Sequence, residues 1–424
     1  MRQLLYRCLV LIVLGGTAFV ANLFVYAQTV EELQQKIVSQ TNAIQKLEQE
    51  IQQYQGDIAT LATKKKTLKN AIAALEITRK KLEADIKLTQ TKVDTTDLKI
   101  RQLNSDISYR EDEIIARKAS LKEVVLLMYE SDELSLAQIA LSNESFSGLW
   151  NDLETLNQFS SSVNENVELI KSLKTDLERK NKAKQDEKGK LLGLKEELGD
   201  QKKITEDTKK QTTKLLTQTS NQESKYQQIL KDKLALKEAL EKELREYEST
   251  LKFILDPTSI PPRGTKVFTS PLSKFTITQQ FGKTTSSGRL YASGTHNGID
   301  LRASVGTPVS TMLSGTVIGT GDTDLTCPGA SYGKWVLIKH SNGLASLYAH
   351  FSLIKVGKGQ VVNTGDLVGY SGNTGYSTGP HLHLTVFASA AVEVRSLPSK
   401  ACGGRTYTMP VAAINAYLDP MDYL

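Results

Sequence analysis

The chain has 424 residues, of which 24% are charged and 39% hydrophobic, and a formal net charge of +6. That length exceeds what one hydrophobic core usually serves, so two or three domains are expected. Six surplus positive charges on such a chain permit attraction to an anionic surface but support no nucleic-acid partner.

The first element expected is a targeting segment over residues 1–27. Arg2 and Arg7 precede an apolar run from Cys8 to Ala27, and Val25-Tyr26-Ala27 offers residues a signal peptidase can read ahead of Gln28. The run also approaches the ~20 residues that span a bilayer, so an uncleaved membrane anchor remains the alternative. In both cases the basic side faces the cytoplasm and the rest lies outside it, in the periplasm or at the cell surface. Cys8 sits at the wrong end of the run for a lipoprotein cysteine.

Residues 28–255 read as a coiled coil, with a heptad that begins at Leu33. Ile37, Ile44, Ile51, Ile58, Ile72, Ile86, Val93, Ile100, Ile107 and Ile114 share one position, and Leu33, Leu47, Tyr54, Leu61, Leu68, Leu75, Leu82 and Leu103 share its partner. Lys65, Arg79 and Arg110 interrupt the seam, and no proline occurs between Gln28 and Asp256. Isoleucine at a with leucine at d suits a parallel dimer, so self-association stays open. A partner within the chain is also available. Around 121–159 the heptads give way to short amphipathic pieces, and a second arm carries Val163, Val167, Ile170, Leu177, Leu198, Ile204, Leu230, Leu240 and Leu244. Gly189, Gly193 and Gly199 would loosen that arm. Two arms of matching length around an irregular tip predict a long antiparallel coiled-coil hairpin.

Asp256-Pro257 should end the helix and open a linker over 256–267. Beyond it, Phe275 to Gln280, Thr307 to Val317, Trp335 to His340, Leu344 to His350 and His381 to Phe387 read as strands. Ser341-Asn342-Gly343 suits a tight hairpin between two of them. These strands predict a small antiparallel β domain over 268–397, with a C-terminal extension over 398–424 packed on or near it. The whole chain is thus α+β in two parts. Cys327 and Cys402, an even pair once the N-terminal segment is removed, suggest a disulfide in an oxidising compartment; two unpaired surface thiols are the alternative. His340, at the hairpin's edge, is expected to be a surface residue.

Four of the five histidines lie in three short segments: His296 with Asp300, His350, and His381 with His383. In a strand, His381 and His383 point to one face and Leu382 to the other. Two imidazoles presented together, a third histidine and an aspartate could complete a mixed nitrogen and oxygen zinc site with one position left for water. Asn297-Gly298 is read as shaping the turn between His296 and Asp300. Tyr348 is read as either bordering a groove or packing in the core.

These segments resemble the LytM-type (lysostaphin-like) zinc metallopeptidases over roughly residues 268–395. The pattern His296-x-x-x-Asp300, Tyr348-Ala349-His350 and His381-Leu382-His383 matches throughout, with Gln279-Gln280-Phe281-Gly282 ahead of it and Gly369, Gly372 and Gly375 before Gly379-Pro380. The resemblance implies a split-barrel-like core and a zinc ion held by His296, Asp300 and His383. It also implies catalytic roles for His350 and His381, and a peptidoglycan substrate cut within stem or cross-bridge peptides in wall remodelling or division. The coiled coil resembles those of exported cell-division hydrolases and amidase activators, and its irregular apolar tip, Leu121 to Phe159, is expected to recognise a membrane-protein activator or to fold back towards the catalytic groove. A relative of this architecture can also be a non-hydrolytic activator of cell-wall amidases or a peptidoglycan-binding module, which is the alternative function.

Overall fold

The computed structural model describes residues 32–58, 67–131, 146–220, 222–251, 253, 256–283 and 295–424. The expected targeting segment, and the piece of the coil tip over 132–145, lie outside them. The chain divides into two compact units, one of residues 1–46 and 88–198 and the other of residues 47–87 and 199–424.

Four helices are described: α1 over residues 32–58, α2 over Leu68–Ser131, α3 over Phe146–Thr219 and α4 over Glu223–Thr250. In the first unit α2 and α3 run antiparallel. Lys180 pairs with Asp106 at 3.0 Å and Arg110 with Asp176 at 3.4 Å, a constant sum of residue numbers. Ile100, Ile107 and Ile114 of the heptad seam are buried. The ion pairs are partly exposed and contribute little; removing the isoleucines from water carries the association.

The first arm is not one helix. Thr67 lies outside the helix and its hydroxyl accepts the N–H of Asn70, capping α2 at Leu68. Ile58 of α1 lines one depression with Ala74 and Thr78, while Lys36 and Gln40 line another with Asp94 and Arg101, so α1 runs antiparallel to α2. The second arm also divides, at Ser220, whose φ of 46° is left-handed. Polar Thr217 to Asn221 hold no seam position there. By contrast α3 continues through Gly189, Gly193 and Gly199. The last helix ends at Thr250, ahead of Asp256-Pro257, where Asp256 caps a short 3₁₀ turn by accepting from the Thr258 N–H.

The strands are β1 Ile277–Gln279, β2 Ile299–Arg302, β3 Pro308–Ser310, β4 Gly315–Asp322, β5 Lys334–His340, β6 Leu344–Ala349, β7 Phe351–Ile354, β8 Val361–Val362, β9 Leu367–Ser371, β10 His381–Ala388, β11 Val392–Pro398, β12 Thr406–Ala412 and β13 Tyr417–Leu418. The main sheet is antiparallel in the order β1-β2-β10-β6-β5-β4-β8, with β13 beside β10. A second sheet orders β3-β9-β7, and β11 pairs with β12 as a separate hairpin that crosses the expected boundary at 397/398. Ser341-Asn342-Gly343 makes the β5–β6 turn, with Gly343 at φ 82°.

Alternation along the central strands sends side chains to two cores. Val336 and Ile338 of β5, Tyr348 of β6, and Leu382, Leu384 and Val386 of β10 enter one. Trp335, Leu337, Leu347 and Phe387 enter the other, which β12 and Leu240 of α4 complete. His381, His383 and Thr385 share this second face of β10. The site and α4 therefore lie on the same side of the sheet.

One sequence reading changes and one open alternative closes. His340 is buried, not superficial: its ring bonds Ser314 O at 3.1 Å and Ser346 Oγ at 2.8 Å and packs on Phe268. Alternation explains this, because His340 shares its face of β5 with Val336 and Ile338, which enter the first core. Tyr348 is a core residue, fully buried, with its hydroxyl accepting the Met312 N–H at 2.9 Å.

Candidate metal centre

Backbone pairing between β2 and β10 builds the centre. His383 stands opposite Asp300 in register, and His381 opposite Arg302. His296 enters from the turn before β2, tied by a bridge to Gly282. Gly298 permits this approach: a Cβ there would lie 2.3 Å from Leu384 O and 2.9 Å from the His383 ring. Asn297 contributes its side-chain amide, which donates to the Tyr332 hydroxyl at 2.9 Å.

His296 Nε2, Asp300 Oδ1 and His383 Nδ1 converge. His383 Nδ1 is 2.9 Å from Asp300 Oδ1 and 3.1 Å from His296 Nε2, and His296 Nε2 is 3.3 Å from Asp300 Oδ1. All three residues are buried and form the group among the described residues able to hold a metal ion. The tautomers follow from the outer nitrogens. Gln280 O, which only accepts, lies 3.0 Å from His296 Nδ1, so that nitrogen carries the proton. Thr385 Oγ1, 2.9 Å from His383 Nε2, can take the other. Two imidazole lone pairs and a carboxylate oxygen then face one another, an arrangement that repels itself unless a cation lies between them. Donor separations near 3 Å also suit tetrahedral zinc, whose bonds of about 2.0–2.2 Å place ligand atoms roughly 3.3 Å apart. The residues fit the ion, and Gln280 and Thr385 orient the rings.

His350 and His381 stand beside this trio, with ring centroids 4.7 Å apart. His350 Nδ1 donates to Thr374 O at 2.7 Å, leaving Nε2 as the acceptor. Its backbone is left-handed at φ 63°, a strained conformation for a non-glycine residue that turns the ring away from the alternation of β6. Its N–H donates to Tyr332 O at 2.9 Å. Burial, then the neighbouring histidines, holds the His350 imidazolium well below its usual range, so the ring is neutral near pH 7. Burial opposes charge on His381 too, but the Asp300 carboxylate 3.4 Å from its Nε2 outweighs it and raises the ring. Burial alone would raise the Asp300 carboxyl; the surrounding histidines reverse this and hold it well below the carboxylate range.

Cys327 and Cys402 are joined as a disulfide that ties the loop before β5 to the tip of the β11–β12 hairpin. Sequence reading did not single out the far wall of the site. A cavity of about 340 Å³ lies over the trio and is lined by Tyr332, Tyr376, Tyr407 and Tyr417, and by Leu240 and Glu248 of α4. Asn297, Tyr332, Tyr417 and Glu248 form one hydrogen-bonded chain across it. Burial pushes the Glu248 carboxyl up to about 7, against the bonds from Tyr417 and Ala412 that favour its charge. Lys237 of α4 sits over the Tyr376 ring, 4.1 Å from its centroid.

Known proteins share this part of the chain. Residues 294–394 match Peptidase family M23. Over 88 residues, 21% of this chain, it is 44% identical to peptidoglycan DD-endopeptidase ShyA of Vibrio cholerae and 42% identical to DD-carboxypeptidase/endopeptidase Mpg of Neisseria meningitidis, covering 19% of each. Lysostaphin of Staphylococcus simulans is 38% identical over 94 residues, 22% of this chain and 18% of lysostaphin. The chain thus spans about a fifth of the length of these curated relatives. The solved catalytic domain of Staphylococcus simulans lysostaphin covers 35% of this chain and 90% of that domain at 25% identity, with a TM-score of 0.26. The trio of donors, its two flanking histidines and the matched residues identify the C-terminal part of the chain as a Peptidase family M23 domain.

Proposed function

We propose that the chain is a zinc-dependent endopeptidase that hydrolyses peptide bonds in the stem or cross-bridge peptides of peptidoglycan, outside the cytoplasm. The convergence of His296, Asp300 and His383 with outer nitrogens already oriented carries the reading. Relatives named as peptidoglycan endopeptidases support the substrate class. Zinc held by His296, Asp300 and His383 would supply a water acidic enough to act near neutral pH and would polarise the scissile carbonyl. His350, neutral and aimed by Thr374, takes the proton of the attacking water at Nε2. His381, its Nδ1 donating to Gly379 O at 2.7 Å, presents Nε2 to stabilise the oxyanion or protonate the leaving amine. With Nδ1 bound to Gly379 O, Nε2 can donate only when the ring is protonated at both nitrogens, the form that the Asp300 carboxylate favours.

The N-terminal run over residues 1–27 supports export, and the Cys327–Cys402 bond accords with an oxidising compartment. Val125 and Leu126, about half exposed near the end of α2, support recruitment by an apolar partner such as a membrane protein. The test is digestion of purified peptidoglycan by the zinc-loaded protein, with fragments identified by mass. New peptide termini are expected, and intact peptides after prolonged digestion would reject the reading.

A further inference from the structure

The tip of the β11–β12 hairpin holds a carboxylate. Glu243 of α4 takes the Ser399 hydroxyl at 2.6 Å on one oxygen and the Ala401 N–H at 3.0 Å on the other. A two-point grip by a hydroxyl and a backbone amide is selective for a carboxylate, because both oxygens are used. Ser399 is 1% exposed.

The cradle does not depend on α4 for its shape. Ser399 N–H donates to Arg405 O, Gly404 N–H to Ser399 O, and Cys402 N–H to Ser399 Oγ. The pairing of β11 with β12 runs to Pro398 opposite Thr406, and the disulfide fastens Cys402 to Cys327. Exposed Lys400 and Arg405 add positive charge around it. With Glu243 withdrawn, a fixed hydroxyl and a fixed amide are left asking for an anion.

The cradle sits at the tip of a hairpin that also lines the catalytic cavity. Tyr407 of β12 lines that cavity together with His296 and His383, and Glu243 is near enough for its charge, after burial, to help raise the Tyr407 hydroxyl to about 12. Leu240 and Leu244, on the same helix, close the cavity. Stem peptides of peptidoglycan carry free carboxylates along an extended backbone.

We infer that Ser399 and Ala401 form a carboxylate subsite of the substrate groove, occupied in the resting chain by Glu243 as an internal competitor. The inference rests on the peptidoglycan reading above. As part of the same chain, Glu243 competes at a high effective concentration, so substrate enters only as α4 withdraws.

The experiment measures binding by fluorescence anisotropy to the full chain stripped of zinc with a chelator, where nothing is cleaved. Two labelled probes are used: a cross-linked stem peptide with free carboxylates, and the same peptide with its carboxylates amidated. Glu243→Ala should tighten the carboxylate peptide by about tenfold, the scale of a charge-assisted pair, and leave the amidated peptide within about twofold. Adding Ser399→Ala should remove most of that preference, with the melting temperature and the disulfide checked in parallel. Equal tightening of both probes by Glu243→Ala would overturn the inference, since α4 would then only block space. No tightening of either would overturn it as well, as would a preference that survives Ser399→Ala in a folded chain. The Glu243→Ala comparison alone decides the matter if Ser399→Ala does not fold. Carboxylate preference without hydrolysis by the zinc-loaded chain would instead count against the peptidase reading.

Discussion

The floor and the roof of the catalytic cavity are built by different means. The floor is β2 and β10, where backbone pairing places Asp300 opposite His383 and each outer ring nitrogen has a fixed partner. The roof is α4, held by side chains: Leu240 in the second core, Glu243 on the hairpin tip and Glu248 on Tyr417. Strand pairing resists change because every residue shares the ladder, whereas a helix held by a few side chains can leave as a unit. The difference teaches that chemistry resides in the part that does not move. Access is set by the part that does.

Breaking the floor should have the largest effect. His296→Ala, Asp300→Ala or His383→Ala should each lose bound zinc, read by elemental analysis, and cut peptidoglycan hydrolysis by roughly a thousandfold or more, because the ion supplies several kcal/mol at the transition state. Full zinc retention in all three would show that another set of residues holds the ion. His350→Ala sharpens the assignment within the floor. It should keep about one zinc per chain and lower kcat by about 10²–10⁴-fold, the usual worth of a positioned base. Unchanged kcat would assign the base elsewhere.

The tie that fastens the hairpin under the roof comes next. Cys327 belongs to the loop before β5 and Cys402 to the hairpin that carries the cradle, and their bridge closes a loop with a sequence separation of 75. A double Cys327→Ser, Cys402→Ser variant should lose about 2–5 kcal/mol of stability, read from denaturant unfolding. An unchanged unfolding midpoint would mean that the hairpin is held without the bridge.

The roof should respond to pH through Glu248. With α4 docked, burial raises this carboxyl from its ordinary value near 4.5 to about 7. The docked state therefore binds the proton more tightly. Its stabilisation is fully present below pH 4.5 and is lost as pH rises through 7, by about 3 kcal/mol at most. Hydrogen exchange in α4 should accelerate between pH 5 and pH 8 once intrinsic rates are divided out, and Glu248→Gln should flatten that dependence. A profile identical in the two proteins would place the pH response in other groups.

The sequence showed the floor better than the roof. Strand alternation put His381 and His383 on one face, and the rarity of histidine made the cluster visible. The coil arms were readable from isoleucine spacing, but the start of a separate helix at Leu68 was not, because the heptad continues on both sides of it. What was hidden depends on contacts distant in sequence. Glu248 is one glutamate among many on a charged helix, and only its burial against Tyr417 and Tyr332 gives it a role. Ser399 is an ordinary turn serine until Glu243 meets it. His340 looked superficial because it borders a turn, yet it shares the core-facing side of β5 with Val336 and Ile338.

The account stands or falls on zinc-dependent cleavage of peptide bonds. The direct measurement is digestion of one peptidoglycan preparation by the full-length protein, stripped of metal and then reloaded with one equivalent of zinc, with released fragments read by mass spectrometry. The account predicts new peptide amino termini in the reloaded sample, few in the stripped one, and none from the reloaded His383→Ala protein. Equal cleavage with and without zinc, or intact peptides in every sample, would contradict it.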